Sequence, residues 1–178
     1  MPIADSELNK AANAHLVRPA EDTVYSALQV WRSTPNSYEW WWLVIDHGEG
    51  QFTALRFETV RDLLQSPDYA VGMHTRLGDL PRRREDPANW GRPLPGVVTP
   101  VVVEQDAMGT ARALQIMRDS PGRVLVVVNQ GQFRGILSAS ERTFAFTDKP
   151  LLDMLDEYEQ GSDPSGGAPA SSDDPATG

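Results

Sequence analysis

The chain has 178 residues, 40% of them hydrophobic and 23% charged, which bounds it to one soluble domain or a compact pair of small repeats. Its net charge of −9 sits mostly at the end: Leu151 to Gly178 carry seven acids and no Lys or Arg, leaving 18 acids against 16 bases in the body. A near-neutral body with an acidic tail argues against nucleic acid as a partner, and the lack of cysteine excludes disulfides, thiolate metal sites, Fe–S clusters and a Cys nucleophile.

In chain order, the opening Met-Pro-Ile-Ala-Asp-Ser-Glu has no basic region followed by an apolar one, so we read a cytoplasmic chain. A short strand is expected near Leu16–Arg18. Thr23–Arg32 places Val24, Ala27, Leu28 and Trp31 at i, i+3, i+4 and i+7, one face of a helix. The apolar run Trp40–Ile45 reads as a strand, with Trp40 and Trp42 on one face and Trp41 on the other. The turn His47-Gly48-Glu49-Gly50, a strand near Gln51–Phe57 and a helix over Thr59–Leu64 follow. A long connector from Ser66 to Gly96 holds Arg82, Arg83 and Arg84. These could reach a phosphate, or form a solvated turn neutralised by Glu85 and Asp86. Then come a strand at Val101–Val103, a helix at Thr110–Met117 and a strand at Val124–Val128. The turn Asn129-Gln130-Gly131, a strand at Phe133–Leu137 and a helix from Ser138 onward complete the series. Leu151, Leu152, Met154, Leu155 and Tyr158 form a last amphipathic helix, set to pack on the module or on a partner. The Gly/Ser/Pro/Ala/Asp tail is expected to be disordered. Neither Trp40–Ile45 nor Val124–Val128 approaches the roughly 20 apolar residues of a membrane span.

Three ordered matches reveal a duplication. Ala27-Leu28-Gln29-Val30-Trp31-Arg32 answers Ala113-Leu114-Gln115-Ile116-Met117-Arg118. Leu43-Val44-Ile45-Asp46 answers Val126-Val127-Val128-Asn129, and Gly50-Gln51-Phe52 answers Gly131-Gln132-Phe133. Neither half is large enough to bury a good core alone, so the expected fold class is α/β: two tandem β-α-β-β-α repeats packed sheet to sheet as a pseudo-symmetric pair. The boundaries are 1–13 for an N-terminal helical extension, 14–65 for repeat 1, 66–96 for the connector and 97–147 for repeat 2. A C-terminal helix takes 148–160 and the disordered acidic tail 161–178.

The second copy, Val98-Thr99-Pro100-Val101-Val102-Val103 through Ala113–Met117, Leu125–Val128 and Gly131–Ser138, resembles a CBS (cystathionine-β-synthase) repeat. The first copy is a more divergent match, and together they resemble a CBS pair, or Bateman module. That resemblance implies a Gly-x-x-Thr/Ser-x-x-Asp segment at the start of each second helix, whose Asp holds ribose hydroxyls and whose Thr or Ser lies near phosphate. It also implies a Thr-Pro near the nucleobase. Carried over, the candidate ligand residues are Thr59 and Asp62 in copy one, and Gly135, Ser138 and Glu141 in copy two, with Thr99 before the leading strand. Copy one lacks the glycine, and Glu141 is one methylene longer than the usual Asp. The same Thr-x-x-Asp and Ser-x-x-Glu spacings are also capping boxes that need no ligand, and Thr99-Pro100 is also a helix-excluding lead into a strand.

His15, His47 and His74 have no metal-site spacing, and no nucleophile–base pair is readable, so the chain is read as no enzyme and as needing no cofactor. Two functions stay open. One is a regulatory sensor of an adenosine compound (AMP, ADP, ATP or S-adenosylmethionine) in the cleft between repeats. The other is a ligand-free dimerisation or protein-interaction module. Either would act as a homodimer or on a separate effector protein, with Trp31, Met117 and the Leu151–Tyr158 helix as candidate interface residues.

Overall fold

The computed structural model describes residues 2–6, 8, 15–35, 42–80, 94–139 and 148–161. Six strands and four helices are used below: β1 His15–Pro19, α1 Val24–Ser33, β2 Trp42–Gly48, β3 Gln51–Arg56, α2 Phe57–Gln65, β4 Val101–Glu104, α3 Thr110–Arg118, β5 Val124–Asn129, β6 Gln132–Ser138 and α4 Lys149–Glu159. Several expectations lie outside the described residues: Trp40 and Trp41, Arg82–Arg84, the helix after Ser138, Glu141 and the tail from residue 162.

The two halves share one topology. In each, the leading strand runs parallel to the middle strand, which pairs antiparallel with the third, giving sheet orders β1-β2-β3 and β4-β5-β6. The parallel pair forces a crossover, and α1 or α3 supplies it. Both hairpins reverse through left-handed backbone, at Gly48, Glu49 and Gly50 in the first and at Gln130 and Gly131 in the second. The second is the two-residue type I′ geometry that matches strand twist. α1 starts one residue after the expected Thr23, which serves as its cap: Thr23 Oγ1 accepts the Ser26 N–H at 3.1 Å.

Alternation along the strands makes three cores. Trp42, Val44, Phe52 and Ala54 of the first sheet meet Val124, Val126, Val128 and Ile136 of the second, so the sheets pack face to face. The opposite faces meet helices: Leu43, Ile45 and Leu55 under α1 and α2, and Leu125, Val127 and Leu137 under α3. Of the tryptophan run, Trp42 is a seam residue, 3% exposed, with the Arg56 guanidinium 5.4 Å over its ring.

Each helix face is closed by the segment that precedes the other repeat. In repeat 2 the Ile3 N–H donates to Gln105 O at 2.9 Å, and Ile3 and Leu8 join the core under α3. In repeat 1 the connector does this. Leu77 N–H donates to Asp22 O at 2.7 Å and Tyr25 N–H to Met73 O at 2.8 Å, with Met73, Leu77 and Leu80 buried.

The helix faces proposed above as a dimer interface are instead spent within the chain. Trp31 and Met117 are each 4% exposed, and Leu151 and Leu155 are wholly buried. α4 lies on α1 and α2 of repeat 1. Asp148 caps it by accepting the Leu151 N–H at 3.1 Å and, itself buried, takes the Arg61 guanidinium at 2.9 Å. At the other end Arg32 grips Glu159 as a fork, at 2.6 and 2.7 Å, and Tyr25 OH donates to the same carboxylate at 2.9 Å.

Candidate functional site

The Thr59/Asp62 motif does not open a helix. β3 ends at Arg56 and α2 begins at once with Phe57, so Thr59 is the third helical residue and Asp62 the sixth. The reason is packing: Phe57, Val60 and Leu63 face inward at i, i+3 and i+6, and Phe57 stacks on Trp31 with ring centroids 5.5 Å apart. At about 100° per residue that register turns Asp62 outward. Asp62 is exposed, with a side chain 65% accessible, and meets the neighbouring Arg61 guanidinium at 3.3 Å. The capping-box reading of this pair is therefore corrected: Arg56 is the N-cap residue and contributes no side-chain cap.

Thr59 is half-buried because the connector returns onto it. A Cβ built at Gly96 would lie 2.7 Å from Thr59 Cγ2 and 2.9 Å from Oγ1, and Gly96 has φ +81°. Only glycine satisfies both conditions here. Two residues on, Val98 and Ala54 exchange backbone hydrogen bonds at 2.9 Å, fastening the segment that leads to exposed Thr99 along β3. Glu58 in the first turn adds a carboxylate where an approaching phosphate would need positive charge.

In copy two, Gly135 lies in β6 opposite Val127 and is buried, with Leu8 3.5 Å from the position a Cβ would take. Ser138 ends the same strand, paired with Val124 and half-buried. Glu141 lies outside the described residues. Thus Thr59 is brought to the segment before Thr99, whereas Gly135 is brought to the N-terminal segment.

The sequence reading missed a second place. Between the N-terminal segment and repeat 2 lies a groove of about 360 Å³ lined by Ile3, Asp5, Gln105, Asp106, Asn129 and Arg134, among others. Four of its polar side chains bond one another. The buried Gln105 amide donates to Ile3 O at 3.0 Å and Asp5 Oδ1 at 2.7 Å and accepts from Asn129 at 3.3 Å, while Arg134 reaches Asp5 at 3.3 Å. These bonds from Gln105 and Arg134 hold the Asp5 carboxyl below its ordinary range. A signal existed: Pro2-Ile3-Ala4-Asp5 parallels Arg76-Leu77-Gly78-Asp79 of the connector.

His15 and His47 make local contacts, and His74 is exposed. His15 meets Phe133 edge-on at 5.6 Å, and His47 Nε2 lies 2.6 Å from Thr53 Oγ1, with burial holding its pKa below the ordinary value. Among the described residues no group of three or more His, Asp or Glu is placed to hold a metal ion, and no helix is long and apolar enough to cross a membrane.

No family model matches the chain, and no curated protein does. Two solved structures are similar. The CBS-pair protein CBSX2 of Arabidopsis thaliana is 15% identical with a TM-score of 0.41, over 83% of this chain and 89% of that one. A CBS-domain protein from Burkholderia ambifaria, described as a signal-transduction protein, is 12% identical with a TM-score of 0.42, over 94% and 97%. What carries the architecture is internal to the chain: two copies of one strand order, two parallel crossovers and sheets packed face to face. In fold, the chain is a tandem pair of repeats that share one β-α-β-β order and pack sheet to sheet.

Proposed function

We propose that this chain is a regulatory module that works through contact with another protein, and that the helix-start motif of repeat 1 holds no nucleotide. The observation that carries this reading is the connector on Thr59. With Gly96 backbone against its hydroxyl, the third residue of α2 faces chain where the resemblance places phosphate. Moving the connector would also break the Val98–Ala54 pairing. A complex with a separate effector protein, or a homodimer, is the state in which such a module would act.

One observation supports the adenosine-sensor reading: Asp62 is exposed, and its carboxylate would be open to ribose hydroxyls. Thermal shift with AMP, ADP, ATP and S-adenosylmethionine decides between them. We expect no rise in midpoint with any of the four. A ligand at about a hundred times its Kd stabilises by about 2.7 kcal/mol, so a clear rise would overturn the contact-only reading. In that event Asp62→Ala and Glu141→Ala separate the sites, since loss of a ribose–carboxylate bond weakens binding about ten- to a hundredfold. Glu141→Asp would then tighten a live second site.

A further inference from the structure

The leading strands of the two repeats end alike, and the residues that follow them differ. Ala20 follows β1, and its carbonyl accepts the N–H of Gly78 in the connector at 2.9 Å. A Cβ built on Gly78 would lie 3.0 Å from the Ala20 methyl, so two small residues seal that crossing. Gln105 follows β4, and its carbonyl accepts the N–H of Ile3, also at 2.9 Å. Here a long buried amide takes the place of a methyl, and the crossing opens into the groove of about 360 Å³. That volume is at the low end of ligand cavities, roughly 300–1,000 Å³, so its occupant is small. The groove also keeps hydrogen-bonding capacity that the chain does not spend. Among the described residues, Arg134 gives one N–H to Asp5 and leaves the rest of its fork unused. The Asp106 carboxylate is exposed and makes no hydrogen bond or ion pair among them. The Asn129 side chain donates to Gln105, while its carbonyl oxygen accepts nothing among them.

We propose that this groove binds a small α-amino acid in its zwitterionic form. The ammonium group meets the free Asp106 carboxylate and the Asn129 carbonyl, and the ligand carboxylate meets the unspent fork of Arg134. Asp5 is a positioning residue: it takes the Gln105 amide at 2.7 Å and holds the Arg134 guanidinium at 3.3 Å. Other ligand classes fit the lining less well. A phosphate compound brings its charge against both Asp5 and Asp106. A nucleobase or a sugar ring finds no aromatic face, since no aromatic side chain lines the groove. A metal ion finds two carboxylates beside a guanidinium, and among the described residues no third His, Asp or Glu completes a site. An ammonium and a carboxylate on one carbon answer the unpaired anion and the unused fork together. The inference goes beyond the protein-contact reading, because it gives the module a small molecule to which it responds.

The test titrates the full, nitrogen-labelled chain with glycine, L-serine and L-asparagine and follows its amide resonances. Saturable shifts at Ile3, Asn129 and Arg134 are expected with at least one of the three, with a Kd of about 1 mM, as suits a ligand this small. Asp106→Asn and Arg134→Ala should each weaken that binding at least about tenfold, the loss of one charge-assisted hydrogen bond. Arg134→Lys keeps the charge without the fork and should recover part of it. Asp106→Asn removes no bond of the folded chain, so its unfolding midpoint should match wild type while its affinity falls. Ethylamine and acetate, each carrying one of the two charges, should bind at least about tenfold more weakly than the best amino acid. No saturable shift with any of the three up to about 10 mM overturns the proposal. So does binding that survives either neutralisation, and so does ethylamine or acetate binding as tightly as the amino acid. No nucleotide or partner protein enters the titration, so its failure would leave the protein-contact reading standing.

Discussion

The two repeats share strand order, hairpins and closing segments, yet they are not equally finished. Among the described residues, the helix-side core of repeat 1 holds seventeen buried apolar residues and that of repeat 2 seven. Half of that difference comes from outside the repeats, where the connector supplies Met73, Leu77, Leu80, Leu94 and Val97 and α4 adds Leu151 and Leu155; Phe57, Val60 and Leu63 belong to α2, whose counterpart in repeat 2 lies outside the described residues. Ile3 and Leu8 are the additions in repeat 2. Burial stabilises in proportion to apolar area, so the connector and α4 add stability to repeat 1.

The sharpest way to break that comparison is a pair of matched truncations. Leu28→Ala, at a position with no exposed area, should cost about 3–4 kcal/mol, whereas Leu114→Ala, at its half-exposed counterpart, should cost about 1. Equal shifts in urea midpoint would mean that α3 is covered as fully as α1. Next in size is Asp148→Ala. It removes a cap and the buried acceptor of Arg61, which is left with only the exposed Asp62, for about 2–3 kcal/mol. The exposed Arg134–Asp5 pair of repeat 2 should respond far less to Asp5→Asn in the same assay.

The shared frame was legible because it is written in periodicity. Val24, Ala27, Leu28 and Trp31 announce α1, and Val124–Val128 announces a strand buried on both faces. The candidate site was less so. A Thr-x-x-Asp spacing carries no register of its own, and the helix took its start from Phe57, whose ring had to be buried on Trp31. The destination of α4 was also hidden: an amphipathic stripe states that a partner exists, not which one. The fork from Arg32 to Glu159 spans 127 residues, a separation no local pattern records. Pro2-Ile3-Ala4-Asp5 escaped notice because four residues with one identity, Asp5 with Asp79, give too little signal unless the fold supplies the alignment.

Gly96 offers a smaller test that joins fold to function. Its φ of +81° favours glycine, and any Cβ there would press on Thr59. Gly96→Ala should therefore cost about 1–2 kcal/mol, part from the left-handed backbone and part from the contact. Adding Thr59→Ala should recover only the contact part. If Gly96→Ala is neutral in calorimetry, the connector does not rest on α2, and the argument against nucleotide at Thr59 falls with it.

Acid provides the finest comparison, because Glu159 and Asp5 are carboxylates with lowered pKa values that fasten α4 to repeat 1 and the N-terminal segment to repeat 2. Hydrogen bonds from Arg32 and Tyr25 pull the Glu159 carboxyl from 4.5 to about 2, and those from Gln105 and Arg134 lower Asp5 in the same direction. A carboxyl with a depressed pKa in the folded chain binds its proton more readily when unfolded. The contribution of Glu159 is therefore complete above pH 4.5 and is lost as pH falls from there toward about 2. His47 acts earlier: burial lowers its pKa from 6.5, so protonation favours the unfolded chain and its contribution declines as pH drops below that value. Glu159→Gln should flatten the stability curve below pH 4.5 and leave the slope between there and neutrality unchanged. Asp5→Asn should flatten the acid limb as well, without loosening α4. Tyr25 lies against Tyr158 at 4.8 Å, so the difference in near-ultraviolet dichroism between the chain and its Tyr158→Leu variant during the acid titration reports α4. If that signal changes at the same pH in wild type and Glu159→Gln, the Arg32 fork does not govern how α4 is held, and the contrast between a clamped α1 and an open α3 would then rest on apolar packing alone.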